Sequence, residues 1–174
     1  IYILNTNSSI FRNNNFLATF GMYSSNYNII NNNTITNDNS SLVNPEYNLN
    51  CWYDCNNNNI TNNIIYSSTQ NGGGWIYSLF INYGENNKIL KNNITAIVNS
   101  GVGADYATGI KLLSTNNNLV DSNIINSLGY SWFGSIWLVS NYNDTFSNNI
   151  INAEVPSAVG NGAINIESLG GNVF

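Results

Sequence analysis

Histidine is absent from the 174 residues, arginine occurs once and lysine three times. Four cations cannot form the basic stripe that neutralises a phosphate backbone, which argues against nucleic acid as a partner. The only cysteines are Cys51 and Cys55, so a tetrahedral zinc site lacks two ligands. We therefore expect neither a metal nor another cofactor. Charged residues make up 7% of the chain and leave it at −5, where an ordinary globular domain carries roughly 25%. No apolar run approaches the roughly 18 residues that span a bilayer as a helix. Proline occurs twice, at Pro45 and Pro156.

The polar share is carried by asparagine, 41 residues in all, within a chain that is 43% hydrophobic. Disordered chains lack aromatic and β-branched residues, yet here Ile, Tyr, Phe and Trp recur at fixed places in a repeat. The repeat reads Asn, any residue, apolar, two more, Asn, any residue, apolar, and its clearest copy is Asn87-Lys88-Ile89-Leu90-Lys91-Asn92-Asn93-Ile94. Other copies are centred on Phe11/Asn14/Phe16, Ile30/Asn33/Ile35, Ile60/Asn63/Ile65, Leu119/Ser122/Ile124 and Thr145/Asn148/Ile150, with a truncated one at Gly171/Val173. The first anchors lie 19 to 30 residues apart, a period that signifies a solenoid whose repeats bury apolar faces only against their neighbours.

Two anchors five residues apart point to opposite faces of a straight strand. Both face inward only if the chain bends between them, and Asn at the third motif position suits a bend because it tolerates the left-handed region. About seven residues before each first anchor another alternating pair occurs, from Tyr2/Leu4 and Gly21/Tyr23 through Cys51/Tyr53 and Leu79/Ile81 to Ile110/Leu112, Ile136/Leu138 and Ile164/Ile166. Three short strands per coil predict three parallel sheets. Stacking at about 4.8 Å then lines up an amide ladder of Asn14, Asn33, Asn63, Asn92, Ser122 and Asn148. A second ladder runs through Ser9, Asn28, Asn58, Asn87, Asn117, Asn143 and Gly171, and Lys91 lies over Asp121. The stretches Thr36 to Leu49, Tyr66 to Ser78, Thr95 to Thr108 and Asn126 to Ser135 are expected to leave the coil as loops.

The pattern resembles that of the right-handed parallel β-helix superfamily, with repeats like those of pectate-lyase-like and NosD-like proteins. Its Asn-rich, Lys-poor form is most similar to the adhesin-like surface proteins of methanogenic archaea. The resemblance covers essentially the whole chain. It implies an all-β solenoid of about seven coils with Asn ladders and insertion loops, residues 1–174 being one segment of a longer protein. A leucine-rich-repeat horseshoe is disfavoured because Ile replaces periodic Leu and no amphipathic helix is visible. The Gly-Gly-x-Gly-x-Asp repeat of calcium rolls is missing.

Enzymes of the superfamily use clustered carboxylates with a basic residue, or paired carboxylates as acid and base. Asp54 and Glu167 fall in one column but four coils apart, roughly 19 Å, and Arg12 is remote from most acids; Asp105, on an insertion, is the acid a loop could move. The most suggestive surface feature is the outward column Ile3, Met22, Trp52, Phe80, Lys111, Trp137 and Asn165, where charge is nearly absent. Its aromatics either form an interaction face or lie under insertion loops that contribute Trp75, Tyr77, Trp132 and Phe133. Cys51 and Cys55 would be about 13 Å apart in an extended strand, too far to bridge. They are bonded only if the chain turns at Tyr53-Asp54, and are otherwise two partly buried thiols. Sequons at Asn7, Asn32, Asn39, Asn59, Asn93 and Asn143 are no more numerous than chance supplies.

These observations give the expectation of a non-catalytic cell-surface or secreted adhesion or stalk module, with Trp52, Phe80, Lys111 and Trp137 as the binding residues. Its partners would be other cells, polysaccharide or neighbouring copies, with self-association through the coil ends. The alternative is a carbohydrate-active β-helix enzyme, a polysaccharide lyase or glycoside hydrolase.

Overall fold

The computed structural model describes residues 1–39, 46–69, 75–99, 106–129, 134–154 and 163–174. The first coil comprises β1 (Tyr2–Leu4), β2 (Ile10–Arg12) and β3 (Asn15–Phe16). The second comprises β4 (Phe20–Tyr23), β5 (Ile29–Asn31) and β6 (Thr34–Asn39), and the third β7 (Glu46–Trp52), β8 (Asn59–Thr61) and β9 (Ile64–Thr69). Then follow β10 (Trp75–Asn82), β11 (Lys88–Leu90) and β12 (Asn93–Val98), and β13 (Tyr106–Leu113), β14 (Leu119–Asp121) and β15 (Ile124–Leu128). The sixth coil is β16 (Ile136–Tyr142), β17 (Thr145–Ser147) and β18 (Ile150–Glu154), and β19 (Ile164–Gly170) opens a seventh. Like strands stack into three parallel sheets of seven, six and six strands, which we name A, B and C in the order the chain visits them. The chain is thus an all-β parallel β-helix, as its repeat predicts.

The interior is a stack of aliphatic columns. Ile30, Ile60, Ile89, Val120 and Phe146 descend sheet B, and Ile35, Ile65, Ile94 and Ile125 descend sheet C, all buried. On sheet A, Phe20, Leu49, Leu79, Ile110 and Ile136 form one inward column, and Met22, Cys51, Ile81, Leu112 and Leu138 another. A parallel coil can satisfy its backbone only through its neighbours, so side-chain identity repeats down each column.

The corners differ from expectation in one respect. The left-handed residue is not the ladder amide but the residue before it: Asn13, Asn32, Asn62, Lys91, Ser122 and Asn148 turn sheet B into sheet C, each with φ between 52° and 59°. The following residue then points inward and forms the ladder, so the ladder is Asn14, Asn33, Asn63, Asn92, Asn123 and Asn149. Each amide Nδ2 donates to the next Oδ1 at 3.0–3.1 Å. Asn63 and Asn92 are joined at 3.0 Å, as predicted. Ser122 and Asn148 are corrected from ladder to bend, because the fifth and sixth repeats are anchored by Val120 and Phe146 rather than Leu119 and Thr145. The same one-residue correction applies at the other corner, where the ladder runs Asn28, Asn58, Asn87, Asn118, Asp144 and Asn172. Asn117, Asn143 and Gly171 are the turning residues there.

Lys91 accordingly stacks with Ser122. Asp121 pairs with Leu90 and accepts hydrogen bonds from Ser147, Asn148 and Ser122. Those bonds, the Ser147 hydroxyl first, hold its carboxyl below the usual range, with Lys91 adding a smaller attraction.

The segments expected to be loops all begin as strands, and the first three also end as strands. Sheets A and C extend beyond the coil as a two-layered fin with its own small core of Ile76, Ala96, Val98 and Ala107. Buried Asn48 and Ser78 seal its base, donating to carbonyls of sheet C at 2.6–2.8 Å. Pro45, Asp105, Trp132, Phe133 and Pro156 lie outside the described residues.

Candidate ligand-recognition face

In each of the first six coils but the third, the inward sheet A residue nearer the turn lies eight positions before its sheet B anchor, as Ile3 to Phe11, Met22 to Ile30 and Ile81 to Ile89. The third coil carries one extra residue. Tyr53 and Asp54 are both left-handed (φ 53° and 49°), and Ser24 N donates to the carbonyls of both Trp52 and Tyr53. This tight double turn brings the Cα atoms of Cys51 and Cys55 to 5.9 Å, and the two form a disulfide. Of the two states open from sequence, the bonded one is present, and both cysteines are buried.

The expected outward column therefore separates. Ile3 and Met22 point into the core. Phe80, Lys111, Trp137 and Asn165 do share an outward column, headed by Tyr2, Gly21 and Asn50. Trp52 also faces outward, but in the adjoining column with Tyr23, Asn82, Leu113, Val139 and Glu167. Glu167 thus aligns with Trp52 rather than with Asp54.

These side chains meet in an aromatic cluster outside sheet A. Tyr77, Phe80 and Trp137 are at its centre, 1%, 2% and 9% exposed, with Tyr47, Trp52, Leu113 and Val139 packed around them. Phe80 contacts Tyr47 and Trp52 at centroid distances of 4.8 and 4.9 Å. Phe80 and Trp137 are consequently a second core rather than an open surface, and Trp52 is the half-buried edge of it.

Lys111 lies over this cluster, its Nζ 3.5 Å from the Trp137 ring centroid and 4.5 Å from that of Tyr77. It donates to the Tyr77 phenol oxygen at 3.4 Å, while Trp137 Nε1 donates to Glu167 at 3.0 Å. Burial lowers the Lys111 pKa from 10.5 to about 8, opposed by the negative charge of Glu167. Burial also raises the phenols of Tyr47 and Tyr77.

An amine whose folded pKa lies below its unfolded value binds fewer protons when folded, so stability rises with pH across that window. We expect the urea midpoint to rise from pH 8 towards pH 10, beyond which tyrosines ionising in the unfolded chain reverse the trend. Lys111→Met should flatten the rise. A variant with an unchanged pH profile would assign the effect to another group.

The exposed part of this face is a tyrosine stripe. Tyr23, Tyr53 and Tyr83 occupy successive coils along the edge where sheet A turns into sheet B, each 44–50% exposed. Tyr53 stacks on Tyr83 at 5.7 Å and 13°, and Tyr23 lies 5.4 Å from Tyr53. Trp52 links the stripe to the cluster, 6.2 Å from Tyr53. Tyr53 and Tyr83 both hold left-handed backbone, a conformation costly for a bulky side chain and a pointer to function where it persists. Ser24, Ser114 and Ser140 serve at equivalent corners. The stripe is legible in the sequence as tyrosines thirty residues apart, as is the pair Tyr47 and Tyr77, but the pairs Gly21/Tyr23 and Cys51/Tyr53 set Tyr23 and Tyr53 on the inward face, where the structure instead places Met22 and Cys51.

A separate groove of about 870 Å³ runs along sheet C, lined by Thr95, Ile97, Asn126, Leu128, Asn152 and Glu154 among others. Among the described residues its lining holds one carboxylate and no cation, less chemistry than the aromatic face offers. Among the described residues no three His, Cys, Asp or Glu side chains gather as a metal site, and no helix is long and apolar enough to cross a membrane.

No family model and no curated protein matches the chain. Among solved structures, a double mutant of the periplasmic alginate epimerase AlgG aligns over 99% of this chain and 47% of its own, with a TM-score of 0.65 and 12% identity. A single mutant of the same protein aligns at TM-score 0.47 and 14% identity. The chain spans about half the length of the structures it matches. The first likeness confirms the parallel β-helix and, at this identity, speaks for the fold alone.

Proposed function

We propose that this β-helix is a polysaccharide-recognising module of an extracellular or cell-envelope protein, its contact surface being Trp52 and the Tyr23–Tyr53–Tyr83 stripe. The observation that carries this reading is the unbroken row of exposed aromatic rings along three coils, backed by a rigid cluster. Aromatic side chains offer large, stiff contact area with a polar handle, and are enriched where proteins bind. A stalk or adhesion role is the natural use of such a surface on a rigid rod. The likeness in fold to a periplasmic enzyme whose name places it on alginate supports both a carbohydrate partner and an envelope location.

That likeness also favours a second reading, a carbohydrate-active enzyme. Lys111, with a pKa of about 8 and a phenol 3.4 Å away, is the group to which proton transfer would be assigned. Affinity electrophoresis through a panel of soluble polysaccharides, with product release measured in parallel, separates the two. Binding without turnover, weakened in Tyr53→Ala and Tyr83→Ala while both variants remain folded at the assay temperature, is the expected result. Turnover abolished by Lys111→Met would establish the enzyme, and absence of binding to every polysaccharide would remove the recognition reading.

A further inference from the structure

We infer that the glycan taken by this face is an uncharged, polyhydroxylated chain lying along the solenoid axis, and not a polyuronate; this rests on the recognition reading above. Tyr53 and Tyr83 stack one coil above the other, so their faces cover each other. What they present outward is ring edges and phenol groups. Ring edges carry the positive side of the aromatic quadrupole and phenols both donate and accept, which suits hydroxyl and ether oxygens repeated along a chain.

The charges around the stripe oppose an anionic ligand. Asp54 follows Tyr53 directly, Glu85 lies two residues beyond Tyr83, and both are exposed. Glu167 is exposed beside Trp137, to which it is hydrogen-bonded. Of the four cations, Lys111 is the one on this face, and its ammonium is committed to the rings of Trp137 and Tyr77. Lys88 and Lys91 belong to sheet B and the corner beyond it, and Arg12 ends β2. A polyuronate laid on the stripe would bring a carboxylate per sugar towards Asp54 and Glu85, with Glu167 three coils further along the same face, within a net charge of −5. Like-charge juxtaposition of this kind is how proteins reject partners.

The test is calorimetric titration of the whole chain with neutral polysaccharides (a mannan, a xyloglucan and a soluble β-glucan) and with alginate and polygalacturonate, at low and high salt. We expect a neutral chain to bind with little dependence on salt. The double variant Tyr53→Ala/Tyr83→Ala should weaken it about tenfold or more, the worth of two aromatic contacts. Asp54→Asn/Glu85→Gln should leave neutral binding in place and improve any residual polyuronate binding. Preferential binding of a polyuronate by the unaltered chain would overturn this inference while leaving the recognition face standing. Failure of every polysaccharide to bind would remove both.

Discussion

Asn63→Leu should destabilise the coil by about 3 kcal/mol or more, because four hydrogen bonds are lost at a site 1% exposed. The Asn63 Oδ1 accepts from the backbone N–H and the Nδ2 of Asn33, at 2.9 and 3.1 Å. Its Nδ2 donates to the Ile30 carbonyl at 2.9 Å and to Asn92 Oδ1 at 3.0 Å. Leucine fills a similar volume but leaves these partners buried, each group without a replacement costing about 1–3 kcal/mol. Asn93→Leu, one residue after the ladder amide Asn92 and on an exposed outward position between Ile64 and Ile124, should be nearly neutral. Guanidinium unfolding followed by tryptophan fluorescence measures both. Equal effects at the two sites would mean that the ladder contributes nothing beyond an ordinary surface amide.

Phe80→Ala should cost about 3–5 kcal/mol, the range for emptying a core aromatic site, although Phe80 lies outside the solenoid. The ring is 2% exposed and contacts Tyr47, Trp52 and Tyr77, whose centroids lie 4.8 to 5.9 Å away. Trp137→Ala should fall in the same class, since it also removes the face on which the Lys111 ammonium rests. Tyr83→Ala, at a half-exposed position whose left-handed backbone strains a bulky residue, should cost far less. Thermal midpoints of the three variants order them. A small loss at Phe80 would mean the outer cluster is loosely assembled, and the aromatic stripe would then lack its rigid backing.

The contrast between these positions marks how far the sequence could be read. Phe80, Lys111 and Trp137 were placed in one outward column by alternation alone, and they are there. That two of them are covered was not legible, because burial is decided by side chains arriving from other coils, Tyr47 and Trp52 over Phe80 and Tyr77 over Trp137. Trp52 was placed two positions off along its strand. One of the two comes from taking the spacing to the anchor as seven rather than eight, as at Ile3 and Met22, and the other from the extra residue at Tyr53-Asp54, since strand alternation has no means of registering an insertion hidden in a turn.

The one-residue errors at Leu119 and Thr145 have a related origin. Runs such as Asn116-Asn117-Asn118 and Asn148-Asn149 offer two registers with nearly the same composition. A slip by one residue exchanges the two faces of a strand, so the correct choice is the one that buries Val120 and Phe146 and leaves Leu119 and Thr145 half-buried on the outside. The pair Leu79/Ile81, which ends eight residues before Ile89 where Leu4, Tyr23 and Leu112 stand seven before their assigned anchors, is the visible sign that the spacing is eight rather than seven.

The sequence by itself determined that this chain coils, that its coils carry three strands, and that amides stack down its corners. Those properties are local and periodic: each repeat meets a near copy of itself, so one motif specifies every interface. Only the tertiary structure decided the register at ambiguous asparagine runs, the closure of Cys51 on Cys55 and the division of the aromatics into a covered cluster and an exposed tyrosine stripe. Each of these depends on which residues from different coils come to lie against one another, and a one-dimensional pattern does not contain that.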